Sequence, residues 1–424
     1  MRSTLVCLAA LATLAGCQKR IQVARQPEGT TGGEIIARRA PVQPRADMST
    51  VESRTMALTH SELDIFVIDV GQGDSTLIVG PLDDGQRFTM LIDAGIGSSA
   101  TTVEPLLEQL SVTSLDVVVA THYDSDHVGG LTTVSGQSVL WTTTRVDGAL
   151  ESCTPRTLFP TVAIVDPGPT PGETNTESEW DQCTSELAGG SSGHEHIEVV
   201  NGDHIGRTFE LGGSYVATIV AGGGYVLGTQ GQIDHADSKN EMSVSIWLSN
   251  EEGFDFLVTG DLIGQPLESG SGPEDAALEA ALGERLEAIG VDLEVLRTGH
   301  HGAGNATEAS FVNKLQPEVA IISVGSNTHG HPAKRTLSTL ENNDVPLILQ
   351  TGAGTPEESH AFEDCGDALD CTQTLQVIVN GTIHIGVTDD VYFITALPPP
   401  SAPDVETLSL FLECDALGCE GMVE

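Results

Sequence analysis

The chain has 424 residues, with 18 Lys and Arg against 61 Asp and Glu, for a formal net charge of −43. The imbalance is uneven: residues 18–54 carry a net +3 and residues 55–424 a net −47. A body this acidic repels polyanions over several Debye lengths unless salt is high, which argues against a stable complex with nucleic acid.

Residues 1–17 read as a secretory leader: one Arg, an apolar stretch too short to span a bilayer as a stable helix, then small residues. Leu14-Ala15-Gly16-Cys17 fits the lipobox pattern of bacterial lipoproteins, in which Cys17 becomes the lipidated first residue. The expected location is therefore extracytoplasmic, with the membrane as a partner through the lipid. Residues 18–54 are poor in aromatics and lack periodicity, so a disordered tether is expected, its net +3 placed near anionic headgroups. Residues 55–397 are expected to form the globular domain and 398–424 an acidic tail. Six cysteines remain beyond position 17, an even number outside the cytoplasm, and spacing suggests the pairs Cys153–Cys183, Cys365–Cys371 and Cys414–Cys419, one of fifteen possible pairings.

Within the domain, short strands and helices alternate, which predicts an α/β class. Strands are expected at 64–70 and 76–79, joined by a tight Gly-Gln-Gly-Asp turn, and at 88–92, ending in Asp93. A helical pattern covers 102–110, and the aliphatic run 115–120 is a further strand. From about 140 to 240 the texture shifts to Gly, Pro, Ser, Thr and acidic residues, which predicts a loop-rich insertion with a few strands such as 215–220. Strands resume at 243–248 and 254–259, followed by a helix over 274–289 and a strand at 293–296. Asn305 with Glu308 has the N-cap pattern for a helix to 315. A strand at 319–324, a helix opened by Pro332, a strand at 345–350 and an Asn-Gly-turned hairpin at 374–387 complete the series.

Three of these apolar strands run into ligand-type residues. The first is followed by His122-Tyr123-Asp124-Ser125-Asp126-His127, two imidazoles and two carboxylates in six residues, then Gly129-Gly130. The others lead to Asp261 and to His300-His301. In layered α/β folds sites form where strand carboxyl ends converge, so these loops are expected on one rim, holding metal ions.

The motifs D-V-G-Q-G-D-S (69–75), L-I-D-A-G (91–95), T-H-Y-D-S-D-H-V-G-G (121–130), N-E-M-S (240–243), L-V-T-G-D (257–261), R-T-G-H-H-G (297–302) and S-V-G-S-N-T-H-G-H-P (323–332) run in order through roughly residues 62–390. On these motifs the chain resembles metallo-β-lactamase-fold hydrolases, and among them the hydrolase domain of ComEC-type competence proteins, without the channel segments. The resemblance implies a four-layer αββα sandwich with a dinuclear site. His122 and Asp124 would hold one divalent cation, Asp126 and His127 a second, and Asp261 would bridge. His300 or His301 would complete the shell, with His331 a ligand or a substrate contact. Asp124 stands where a second His is common, and Asn240, expected as a substrate contact, lies near the place of another. Both changes make the site richer in oxygen, which favours manganese or magnesium while the imidazoles keep zinc plausible.

Two adjacent cations would turn a bridging water into hydroxide near neutral pH and stabilise charge on a carbonyl or phosphoryl oxygen. Asp126 would orient that nucleophile or take its proton, as the resemblance implies. Asp93 is expected to brace the ligand loop through hydrogen bonds rather than bind metal. Gln72, Asp74 and Ser75 lie on a turn expected to face the site, Asp74 with a catalytic role. Lys334 and Arg335, in the first turn of the helix begun at Pro332, could dock a phosphate. The expected activity is a lipid-anchored, metal-dependent phosphodiesterase, single-stranded nucleic acid being one candidate substrate. Alternatives are a phosphomonoester, choline-phosphate ester or carboxylic ester hydrolase, and a non-catalytic binding lipoprotein.

Overall fold

The computed structural model describes residues 61–397, apart from 84–85, 135, 171–173, 190–193, 230, 234–237, 252, 265–276, 356–373 and 389–390, together with three outlying strands at 23–25, 35–37 and 408–413. The leader, Cys17, Cys365, Cys371, Cys414 and Cys419 lie outside the described residues.

In chain order the strands are β1 (Val23–Arg25), β2 (Ile35–Ala37), β3 (Leu63–Val67), β4 (Thr76–Asp83), β5 (Gln86–Ile92), β6 (Leu115–Val119), β7 (Trp141–Val146), β8 (Ala149–Pro155), β9 (Thr161–Asp166), β10 (Glu195–Glu198), β11 (Thr208–Gly212) and β12 (Tyr215–Gly222). They continue with β13 (Tyr225–Val226), β14 (Ser245–Ser249), β15 (Asp255–Val258), β16 (Val295–Arg297), β17 (Val319–Ile322), β18 (Leu347–Gln350), β19 (Leu375–Ile378), β20 (Thr382–Thr388), β21 (Val391–Leu397) and β22 (Leu408–Glu413). The helices are α1 (Ala100–Gln109), α2 (Ser125–Val128), α3 (Asn175–Gly189), α4 (Ala277–Ala288), α5 (Ala309–Leu315) and α6 (Lys334–Asn342).

Two large sheets result. The first has the order β1-β2-β22-β21-β20-β3-β4-β5-β6-β9-β10, the second β11-β12-β14-β15-β16-β17-β18-β19. Alternation along the strands splits their side chains between an inner and an outer face. In β3, Leu63, Ile65 and Val67 enter the core between the sheets, where they meet Ile219, Ile246 and Phe256 of the second sheet. Phe66 points the other way and joins Leu107 of α1 and Trp180 of α3. On the far face of the second sheet, Leu257 and Leu296 pack on Leu282 of α4 and Phe311 of α5, and Ile322 and Ile348 pack on Leu337 of α6. Helix, sheet, sheet, helix is thus the layer order, the αββα sandwich of the metallo-β-lactamase fold. Both faces of β6 and β17 are covered, which is why these strands are near-continuous aliphatic runs.

Four features depart from the sequence expectations. More of residues 140–240 is regular than their composition indicates: β9 and β10 extend the first sheet in parallel with β6, and β11 and β12 extend the second. The expected disulfide between Cys153 in β8 and Cys183 in α3 is present. The Asn-Gly turn does not close a hairpin. Asn380 adopts φ 52, but β19 pairs in parallel with β18 of the second sheet, whereas β20 pairs with β3 and β21 of the first. β1 and β2 from the expected tether, and β22 from the expected tail, join the β21 edge. At α5 the N-cap residue is Glu308, not Asn305.

Candidate metal centre

The loops after β3, β5, β6, β15, β16 and β17 meet on one rim and are stitched by backbone bonds. Asp74 N–H donates to the Asp126 carbonyl (3.0 Å), Ala94 N–H to His127 (2.8 Å), Val244 N–H to Thr121 (2.8 Å) and His300 N–H to Gly260 (3.2 Å). Two glycines allow this proximity. A Cβ at Gly73, φ +131, would collide with the Asp126 carbonyl, and one at Gly260, φ +59, would press on Thr121. Asp93, His300 and His301 also take left-handed backbone angles, φ 57, 50 and 52. Such conformations cost non-glycine residues on the order of 1 kcal/mol and concentrate at functional sites.

The short helix α2, whose N-cap residue is Asp124, aims His127 inward. His127 is fully buried; its Nδ1 lies 2.7 Å from Asp93 Oδ2, and its Nε2 faces Asp261 Oδ1 at 3.1 Å. Asp93 also accepts from Thr121 N–H (2.8 Å) and Thr121 Oγ1 (2.6 Å), so its carboxylate faces away from Asp261 and fixes the imidazole. His122 Nε2 lies 3.8 Å from Asp261 Oδ2 and 3.7 Å from Asp124 Oδ2. His301 Nε2 lies 3.2 Å from Asp126 Oδ2 and 3.7 Å from Asp261 Oδ2. Asp261 therefore stands at the middle, its Oδ2 facing His122 and His301 and its Oδ1 facing His127.

The two adjacent histidines differ. His300 Nδ1 is 3.1 Å from Asn305 Oδ1 and Nε2 is 3.2 Å from Asn240 Nδ2, so both nitrogens have amide partners, although Nε2 is also 3.7 Å from Asp261. His301 donates from Nδ1 to the Ser323 carbonyl at 3.1 Å, which leaves Nε2 buried and unpartnered. His301 is the better-disposed ligand. Asn240, expected near a ligand position or substrate, instead orients His300.

Electrostatics follow this geometry. Burial alone would push Asp126 and Asp261 up, but neighbouring imidazoles outweigh it: His301 and His127 hold Asp126 well below the usual carboxylate range, and His127, His301 and His300 do the same for Asp261. Burial disfavours a charged His127, yet Asp261 and Asp93 raise it well above the usual histidine value. His331, beside His300 and His301 with ring centroids 5.4 and 6.3 Å away, is pushed down to about 4 by burial and by those histidines, so it is neutral near pH 7.

Several expected roles are corrected. Asp74 is buried and touches the Nδ1 sides of its neighbours, His301 at 3.2 Å and His127 at 3.6 Å, and it forms an ion pair with Arg297. It belongs to a group with His127, Asp261 and His301 whose ligand atoms lie within 4.8 Å. The Nε2 atoms face Asp261, so Asp74 lies on the opposite, Nδ1 side of both imidazoles. Ser75 donates to the Asp93 carbonyl at 3.1 Å and is buried, so it supports the loop instead of meeting substrate. Gln72, half-buried, accepts from Gly325 N–H at 3.4 Å. Arg335 is committed to Glu308 at 2.6 Å, and Lys334 also has a partner, so neither is a free cation for phosphate.

Sequence reasoning missed Arg297. Wholly buried, it donates from Nη1 to the Gly260 carbonyl at 3.0 Å and is pushed down to about 9 by burial. The available signal was an Arg ending a buried strand. A second cluster, Asp166, His196 and Glu198, lies at the ends of β9 and β10. Asp166 already accepts from Trp180 Nε1 (2.7 Å) and Gly168 N–H (2.9 Å) and pairs with His196 (2.6 Å), an arrangement suited to bracing the strand ends.

The residues fit a metal. The buried Nε2 atoms of His122, His127 and His301 and Asp261 Oδ1 have no hydrogen-bond partner and converge on one place. Orphaned buried polar atoms are costly, and divalent cations held among them would satisfy them.

Residues 68–140 match the metallo-beta-lactamase superfamily. Over 313 residues the chain is 26% identical to ComE operon protein 3 of Bacillus subtilis (strain 168), which covers 70% of this chain and 33% of that protein. It is 24% identical over 321 residues to competence protein ComA of Neisseria gonorrhoeae, 72% of this chain and 34% of that one. The chain thus spans about a third of the length of these curated relatives. Among solved structures it is similar to a HARLDQ-motif metallo-beta-lactamase from Cronobacter sakazakii, with TM-score 0.29, 16% identity, and coverage of 59% of this chain and 77% of that one. It is also similar to a flavodiiron protein from Giardia intestinalis, with TM-score 0.26, 10% identity, and coverage of 74% and 89%.

Proposed function

We propose that this chain, which carries a metallo-β-lactamase superfamily domain and resembles ComEC-type competence proteins, is a metal-dependent phosphodiester hydrolase held outside the cytoplasm by a lipid on Cys17. The observation that supports it most is the convergence of the unpartnered Nε2 atoms of His122, His127 and His301 on Asp261. His122 and Asp124 would hold one divalent cation, Asp126, His127 and His301 another, and Asp261 would lie between them. When bound, such cations lower the pKa of water toward neutrality and offset negative charge on a phosphoryl oxygen. The protein supplies the rest. Asp126, kept ionised by His301 and His127, accepts a hydrogen bond from the attacking water and fixes its direction. Asp93 and Asp74 hold the rings of His127 and His301 from behind, and neutral His331 offers a hydrogen bond at the rim.

Metal analysis of the purified protein, joined to a screen of nitrophenyl phosphodiester, phosphomonoester and carboxylic ester substrates, tests the reading. Bound zinc or manganese with fastest turnover of the phosphodiester is expected; a metal-free protein inert to all three would overturn it. A small phosphate or carboxylic ester is the second reading, favoured by the charge of −43, which repels long polyanions. Oligonucleotide cleavage that rises from about 0.02 M to about 0.3 M salt would mark a polyanion overcoming that repulsion.

A further inference from the structure

Lys239 is one of only four lysines in the chain. Its ammonium lies 3.4 Å from Asp124 Oδ1, at the outer side of the metal centre, while the other oxygen of Asp124 is 3.7 Å from His122 Nε2. The lysine side chain is 13% exposed and the aspartate 42%, so the pair sits at the rim with the aspartate its more open member. Its backbone is fixed. The Lys239 carbonyl accepts from Met242 N–H at 3.1 Å, closing the 3-10 turn Asn240–Met242, and Val244 N–H binds Thr121 two residues later.

We propose that Lys239 binds an anionic phosphoryl oxygen of the substrate. The inference rests on the hydrolase reading above. A charge-assisted bond closes to about 2.7–2.9 Å when it is tight; at 3.4 Å the ammonium is held loosely and keeps donors to spare. Lysine has three donors on a flexible stem, so rotation about its outer bonds moves the charge from Asp124 toward a ligand on the centre. If Asp124 gives lone pairs to a cation, its pull on Lys239 weakens, and the ammonium is the readier for an arriving anion. Arg297 cannot take this part, since it is buried behind the centre on Asp74 and the Gly260 carbonyl. In a body of net −47, a local cation at the rim also offsets the repulsion that a phosphate would otherwise meet.

The test uses the purified full-length protein loaded with manganese, the variants Lys239→Gln and Lys239→Arg, and calorimetric titration with inorganic phosphate. Manganese affinity is titrated separately in each. Lys239→Gln is expected to weaken phosphate binding about tenfold, the size of one lost hydrogen bond to a charged group, with manganese affinity within about twofold of wild type; Lys239→Arg is expected to restore most of the phosphate affinity. Equal phosphate binding in wild type and Lys239→Gln would overturn the proposal, as would no phosphate binding to the wild type. A parallel fall in manganese affinity would also overturn it, because Lys239 would then only steady Asp124. Failure of the broader reading looks different: wild type binds phosphate in a Lys239-dependent way yet cleaves no phosphodiester.

Discussion

His127 Nε2 and Asp261 Oδ1 face each other at 3.1 Å, although Asp93 at 2.7 Å takes the hydrogen of the opposite nitrogen, Nδ1. A neutral ring in that tautomer would set two lone pairs against each other. Either a second proton or a cation must lie between them, and two ligands each about 2.0–2.1 Å from a zinc ion are separated by about 3 Å at near-right angles. The raised proton affinity of His127 and the candidate metal centre are two expressions of one electrostatic demand.

Removing His127 from this pair, or Asp126 beside His301, should therefore remove metal. His127→Ala and Asp126→Asn are expected to abolish hydrolysis and lower bound metal. Asp93→Ala, which only frees the ring, should weaken metal affinity about 10–100-fold. Metal content after exhaustive dialysis and a competition titration measure both effects; near-normal turnover in His127→Ala would reject the centre as drawn.

Asp74 and Arg297 make a buried ion pair. Arg297→Met leaves a carboxylate uncompensated and should cost about 3–5 kcal/mol in urea unfolding. The double variant Asp74→Asn/Arg297→Met should lose clearly less than the two single losses added. Additive losses would show that the two side chains act independently.

Burial pushes Asp255 up to about 7, with repulsion from Asp292 adding to it and the Trp247 hydrogen bond opposing it. In the unfolded chain the group titrates near about 3.9. The folded form therefore holds a proton that the unfolded form has lost, so its contribution to stability is present below about pH 4 and is lost as pH rises toward about 7. Urea midpoints measured across that window should fall less steeply for Asp255→Asn than for wild type. Parallel curves would mean that Asp255 does not carry this dependence.

Cys17→Ser should shift the protein from the membrane fraction to the soluble fraction, or block its processing, given the Leu-Ala-Gly-Cys pattern at 14–17. Labelled palmitate that never enters the wild type would remove the lipid anchor from the proposal.

The sequence by itself determined an α/β class and most of the candidate ligand types through local signals, whereas the four-layer αββα arrangement was what the resemblance to metallo-β-lactamase-fold hydrolases implied. The buried runs at β6, β15 and β16 announce strands covered on both faces, and each is followed within a few residues by His or Asp. It also marked Asp93 as a brace, since a carboxylate just past a strand end can reach the next loop. What it could not determine was direction. Asp74 and Asp261 are both acids beside glycine, yet one meets the Nδ1 face of the imidazoles and the other the Nε2 face, a difference set by which strand of which sheet carries each. His300 and His301 are adjacent and identical in type; only Asn240 and Asn305, contributed by separate loops, separate the ring held by amides from the ring left with a bare Nε2. The Asn-Gly turn at 380–381 shows the same limit, because a local turn preference fixes the bend but not the partner, and β19 and β20 find theirs in different sheets. Hydrophobic period and capping are properties of a few neighbouring residues, whereas partner choice depends on which surfaces close the core, and that is decided only when the two sheets pack.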